Sequence, residues 1–290
     1  MLGENPMMRS WLSRLALTIQ IAPHVLATTM AALLLMVALP ARAQAPATVF
    51  LEELTWTELR DLVAAGKTTI LVPIGGTEQN GPQMVLGKHN FRARALAAKI
   101  ALQLGSALVA PEIAYVPEGD LAPPTGHMRF PGTITVPHEV LAKLLEYAAR
   151  SLRLSGFRDI CFLEDSGGYE KDLEAVADRL NREWAATPVR VHAIMEYYRA
   201  AQTDYVQALR GRGYTDAEIG THAGLADTSL LLAVDPRLVR IDRLDEAVRL
   251  GRAGGAYGDP RRASAELGQL GIDAIVAQTV AAIKRHIANR

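Results

Sequence analysis

The chain has 290 residues, carries 31 basic and 31 acidic side chains, and is close to half apolar. That balance excludes a polybasic nucleic-acid binder and a low-hydrophobicity disordered chain, and it allows one large core or two small ones. A single cysteine, Cys161, excludes an internal disulfide and a cysteine-rich zinc site.

Arg9 and Arg14 precede an apolar run from Val25 to Leu39, and Ala41-Arg42-Ala43 follows Pro40. A charged stretch, an apolar stretch and a small-x-small site make the layout of a cleavable secretory signal. The apolar run falls short of the ~20 residues a membrane span needs. The expectation is a signal peptide over residues 1–43, cut near Ala43, then a single domain over residues 44–290. The protein is then periplasmic or secreted and keeps no stable membrane span.

Thr55 and Glu58 form a capping-box pair that opens a helix to Ala65, with Gly66 as its stop. Thr68 to Val72 reads as a buried strand. It runs into a glycine- and proline-bearing loop that holds Glu78, Asn80, Gln83 and His89. This loop is longer than the roughly 2–6 residues of an ordinary strand-to-helix connection. Helical spacing resumes over Phe91–Leu104, followed by a short strand over Ala107–Ala110. Glu112 to Thr133 is rich in proline and glycine yet too apolar for a disordered linker, so it reads as an ordered loop around His127. His138–Leu154 is an amphipathic helix. Asp159–Leu163 is a second buried strand that enters the polar loop Glu164 to Gly168. Tyr169–Trp184 is a helix, Val189–Ile194 a strand and Ala200–Arg212 a charged helix. Gly220 to Ser229 leads into an apolar helix over Leu230–Val234. Residues 237–257 read as surface, and a long helix over Ala263–His286 closes the chain. Strands alternating with helices predict an α/β fold with a mostly parallel sheet covered on both faces.

The segment GGTEQNGPQMVLGKH, from Gly75 to His89, resembles the first motif of the creatininase (creatinine amidohydrolase) family. HMRFPGT, from His127 to Thr133, is similar to the family's H-x-x-F-P-G-T. EDSGGY (Glu164–Tyr169) falls on its N-G-H-G-G-N loop, and HAGLADTS (His222–Ser229) on its H-A-G-E-x-E-T-S. A GDP with a later ASAELG, between Gly258 and Gly268, resembles the family's tail. The resemblance spans most of the chain after residue 43. It implies a three-layer α/β/α fold, hydrolysis of cyclic or linear amides with two divalent metals, and a homo-oligomer, a hexamer in this family.

The ligand positions depart from that pattern. Glu78 keeps the first carboxylate, but Asn80 stands where a histidine is expected, His89 where a bridging aspartate is expected, and Ser166 where another histidine is expected. Leu225 removes an acid, and Asp227 keeps one in shorter form. Two metals about 4 Å apart need a bridging carboxylate, so the expectation is a single divalent ion held by Glu78, His89 and Asp227. Zinc comes first for such a set, with manganese or iron as alternatives. Asn80, Gln83, Asp165 and Ser166 are expected to orient the substrate. His222, Asp227 and His127 are expected to handle protons, since imidazole titrates near neutral pH.

The function expected is an exported metal-dependent amidohydrolase that cleaves a C–N bond of a small amide with a metal-activated water. The alternative is a family member without hydrolysis that binds a small molecule in the periplasm. A third reading uses Ser166 as a nucleophile, although the G-x-S-x-G spacing is missing.

Overall fold

The computed structural model describes residues 48–289. At its centre lie four strands, β1 (Thr69–Ile74), β2 (Ala107–Val109), β3 (Asp159–Glu164) and β4 (Arg190–Ala193). All pairings are parallel, and the order across the sheet is β2-β1-β3-β4. Every residue of β1 and β3 is buried. Both faces are covered by helices, so these strands read as apolar runs without polar alternation.

In chain order the helices are α1 (Trp56–Ala64), α2 (Lys88–Leu104), α3 (His138–Leu154), α4 (Glu170–Glu183), α5 (Met195–Gln202), α6 (Asp204–Arg210), α7 (Asp216–Ile219), α8 (Leu225–Val234), α9 (Leu244–Leu250) and α10 (Ala265–Ala288). Successive strand side chains point to opposite faces, and this divides the core into two. Leu71, Cys161 and Leu163 pack with Leu96 and Ile100 of α2, Leu230 of α8 and Ile272 of α10. Ile70, Val72, Ile160 and Phe162 pack with Leu141 and Leu145 of α3 and Leu173 and Val176 of α4. The result is the three-layer α/β/α arrangement expected from the sequence. Among the described residues no helix is long and apolar enough to cross a membrane. The signal-peptide reading of residues 1–43 lies outside the described residues.

Local chemistry explains the helix ends. Thr55 accepts from the backbone of Glu58, and the Glu58 side chain returns the bond, completing the capping box of α1. Ser264 caps α10 by accepting from the backbone of Leu267.

Three elements differ from the sequence reading. First, α2 starts at Lys88 rather than Phe91. Its first turn faces a charged interior, so the apolar period begins only later. Second, the helix expected over Ala200–Arg212 is two helices, α5 and α6, broken at Thr203, whose hydroxyl bonds back to the carbonyl of Arg199 at 2.8 Å. Third, α8 begins at Leu225, because Asp227, Thr228 and Ser229 are polar residues of its first turns and not loop residues.

Candidate functional site

Chain order and sheet order disagree at β1, whose neighbours β2 and β3 lie on opposite sides of it. Such a switch point opens a crevice beyond the carboxyl ends of parallel strands. Ile74 pairs with Glu164 in register, so the loops leaving β1 and β3 emerge side by side. Together with the loop carrying His127 and the turn before α8, they enclose a cavity of about 430 Å³ lined mainly by polar and charged side chains.

Glu78 joins two clusters. Towards the first, its Oε2 lies 3.1 Å from Nε2 of His127, and its Oε1 lies 3.6 Å from Nδ1 of His222. One ligand-capable atom from each of these three residues lies within 4.8 Å of the others. The separations of 3.1 and 3.6 Å match the roughly 3.3 Å between neighbouring ligands of a tetrahedral zinc at ~2.0 Å.

The protonation states suit ligation. Burial, helped by the Lys88 ammonium, pushes the His222 imidazole down to about 3, and burial also lowers His127. Burial alone would raise Glu78, but its hydrogen bond with His89 and the nearby charges of His89 and Lys88 hold it well below the usual carboxylate range. The Nε2 of His222 donates to the backbone carbonyl of Gln79 at 2.9 Å, which leaves its Nδ1 lone pair facing Glu78. A backbone carbonyl that fixes the tautomer in this way is the usual outer partner of a metal-binding histidine. The Gln79 amide nitrogen lies 2.9 Å from Nδ1 of His127, and its oxygen accepts from the backbone of Gly81 at 2.9 Å. Gly255 makes room for that amide. Its φ is +83°, and a Cβ there would stand 1.8 Å from the Gln79 oxygen.

The second cluster is saturated by its own charges. His89 places Nε2 at 2.8 Å from Glu78 and Nδ1 at 2.7 Å from Asp165, so neither ring nitrogen is free for a metal. Arg92 donates through Nε to both oxygens of Asp165, at 2.8 and 3.0 Å, and through Nη1 to Asp227 at 2.9 Å. Lys88 donates to the other Asp227 oxygen at 3.0 Å and lies 3.6 Å from Glu78. Tyr197 donates its hydroxyl to Asp165 at 2.7 Å. Burial alone would raise both aspartates. Arg92 and His89 nonetheless hold Asp165 below its ordinary value, and Lys88 and Arg92 hold Asp227 well below it.

The structure therefore distributes the residues read from the sequence in a different way. Of the expected ligand set Glu78, His89 and Asp227, only Glu78 belongs to the convergent trio. His127 and His222, expected to carry protons, supply its nitrogens. Asp165 and Ser166 line the cavity, whereas Asn80 and Gln83 are not among its lining residues. Asn80 is fully buried and ties its own loop by donating to the carbonyl of Glu78 at 2.9 Å. Gln83 donates to the carbonyl of Ala223 at 2.7 Å. Ala223 has φ of 53° without being glycine, a conformation that costs on the order of 1–3 kcal/mol and persists where neighbours over-determine it. Its backbone N–H donates to Asp227 at 3.0 Å, so Gln83 acts on the site through the turn that carries His222.

Lys88, Arg92, Gln79 and Glu118 escaped the sequence reading. The first two show a signal in hindsight, because two cations four apart at the start of a core-facing helix share one face. Glu118 gives none, since it contacts Glu78 from a loop of irregular sequence. Burial and the Glu78 carboxylate push its own carboxyl up to about 9.

A parallel α/β/α sheet with one carboxylate and two neutral imidazoles converging at its switch point defines a metal-hydrolase framework, and the donor set fits one divalent ion with a coordination position left open. Residues 52–283 match the family profile described as creatinine amidohydrolase. A creatinine amidohydrolase of Pseudomonas putida is 30% identical over 201 residues, covering 68% of this chain and 75% of that protein. A mycofactocin precursor peptide peptidase of Mycolicibacterium smegmatis is 31% identical over 180 residues, 60% of this chain and 61% of the peptidase. A solved structure named Creatininase Mn superposes with a TM-score of 0.69 at 26% identity, covering 83% of this chain and 99% of that one. A Zn-Zn type mutant creatininase does so with a TM-score of 0.65 at the same coverage. The chain belongs to the creatininase family of metal-dependent amidohydrolases.

Proposed function

We propose that the protein hydrolyses a C–N bond of a small cyclic or linear amide, using one divalent ion held by Glu78, His127 and His222. The convergence of those three side chains is the observation that carries the reading. The two-imidazole, one-carboxylate set suits zinc, with manganese or iron next. A bound ion supplies Lewis-acid polarisation of the amide carbonyl and activation of a water. The chain's own residues do the rest. Gln79 holds both imidazoles in place. Its amide lies 2.9 Å from Nδ1 of His127, and the ring would bind an ion through Nε2 as the neutral tautomer with its proton on Nδ1, which the Gln79 amide oxygen accepts when the amide is turned. Asp227, with both oxygens on fixed donors, keeps Lys88 and Arg92 in place. Ser166, on the cavity wall, offers a hydroxyl that can orient the substrate.

The cavity volume of about 430 Å³ supports a small substrate. The relatives named for creatinine and for a precursor peptide support an amide, cyclic or linear. The test strips the protein with a chelator and follows amine release from a panel of small amides before and after zinc or manganese is added back. Hydrolysis that needs the ion supports the reading, and hydrolysis that persists in fully stripped protein overturns it.

Export and assembly belong to the same proposal. The residue pattern over positions 1–43 supports cleavage near Ala43 and a periplasmic or secreted product, which N-terminal sequencing of protein recovered outside the cytoplasm checks. A homo-oligomer, a hexamer by family resemblance, is supported by the exposed Val140, Leu144 and Tyr147 on α3, and light scattering of the purified protein checks it.

A further inference from the structure

We infer that the ammonium of Lys88 is a built-in cation that takes the place of a second metal ion between Glu78 and Asp227. The inference rests on the one-ion reading above and assigns a role to a residue outside it. Lys88 is fully buried in the first turn of α2, and its Nζ lies between two acids from different loops, 3.0 Å from Asp227 and 3.6 Å from Glu78. A metal ion bridging those acids would occupy the same space. Asp227 and the neighbouring imidazole are already engaged by other groups. Asp227 accepts from Arg92 on one oxygen, and from Lys88 and the backbone of Ala223 on the other. His89 sits at the motif position where a bridging carboxylate is expected, and both its nitrogens are engaged by Glu78 and Asp165.

A second divalent ion would therefore have to displace Lys88 from Asp227 and come within contact distance of two fixed cations, in a site where burial weakens screening. The family's dinuclear chemistry does not fit these residues. The chain instead carries one exchangeable ion and one positive charge that cannot dissociate.

The experiment titrates the chelator-stripped full chain with Mn2+, reading stoichiometry by elemental analysis and the electronic state by electron paramagnetic resonance. The wild type is expected to hold one manganese per chain with the spectrum of an isolated ion. In Lys88→Met the two acids lose their shared counter-charge, and uptake is expected to rise towards two ions with a spin-coupled signal. Lys88→Arg, which keeps the charge, is expected to stay at one. Two coupled ions in the wild type overturn the inference while leaving a metal site at Glu78 standing. A folded Lys88→Met that still holds only one ion also overturns it. No ion in the wild type overturns the metal reading, and this inference with it. Should Lys88→Met fail to fold by circular dichroism, the wild-type and Lys88→Arg titrations decide, and two ions in either overturn the inference.

Discussion

The two sides of Glu78 are built from the same kinds of residue and do different things. On one side, His127 and His222 face the carboxylate with burial keeping their rings neutral. On the other, His89, Asp165 and Asp227 are closed into a chain of ion pairs by Lys88 and Arg92. A carboxylate whose oxygens already accept from fixed cations gives up its partners only at high cost. A carboxylate facing neutral imidazoles has lone pairs that converge with theirs. Residue type alone does not mark a metal ligand; what matters is whether the surrounding protein has already supplied the counter-charge.

Removing the guanidinium attacks the saturated side most directly. Arg92→Met leaves the buried Asp165 without its principal partner and takes one of two cations from the half-buried Asp227, and urea unfolding is expected to show a loss of about 3–5 kcal/mol. A loss under about 1 kcal/mol, the scale of an exposed pair, would mean that the network contributes little to folding. On the convergent side, Glu78→Gln keeps the shape but removes the anion. Manganese affinity measured by calorimetry is expected to fall by at least about 100-fold, the upper end of what losing a mere outer partner costs. Unchanged affinity would move the ion away from Glu78.

Gln79→Ala tests whether the imidazoles need to be held. Affinity is expected to drop about 10–100-fold with kcat falling in parallel, and Gln79→Glu to recover part of it. Recovery is the discriminating readout, because a purely packing role would not return with a charged substitute.

The smallest effect concerns a carboxyl outside both clusters. Glu164, fully buried at the end of β3 with neither oxygen hydrogen-bonded among the described residues, is pushed up to about 8 by burial and by Glu170. An acid whose folded pKa is raised favours folding below its ordinary value of 4.5 and loses that contribution as pH rises through about 8. Between pH 5 and 8 the wild type is therefore expected to lose stability steadily relative to Glu164→Gln, read from melts at several pH values. Parallel pH profiles for the two proteins would contradict this.

The sheet and most helices were legible because their signals are local. Apolar runs at β1 and β3 and the capping box at Thr55 each state their structure within a few residues. The motif resemblance pointed to loops that line the cavity. What stayed hidden was pairing across the fold. His89 lies at a familiar ligand position, yet its partners Asp165 and Glu78 come from two different loops. Reading α2 from Phe91 left Lys88 and His89 in a loop, which concealed that Lys88 and Arg92 are one helical turn apart. The trio of Glu78, His127 and His222 joins three motifs that no spacing connects.

The in-register pairing of Ile74 with Glu164 has a consequence for how the enzyme matures. Parallel strands form late and from distant parts of a chain. A single-residue slip of β3 along β1 would reverse the facing of every side chain on it, turning Asp165 away from Arg92 and offering the uncharged acid next to it instead. A chain misthreaded in this way would hide its error beneath a plausible hydrophobic interior and betray it only through an unanswered guanidinium, so the ionic lattice around the crevice doubles as a proofreader of the sheet.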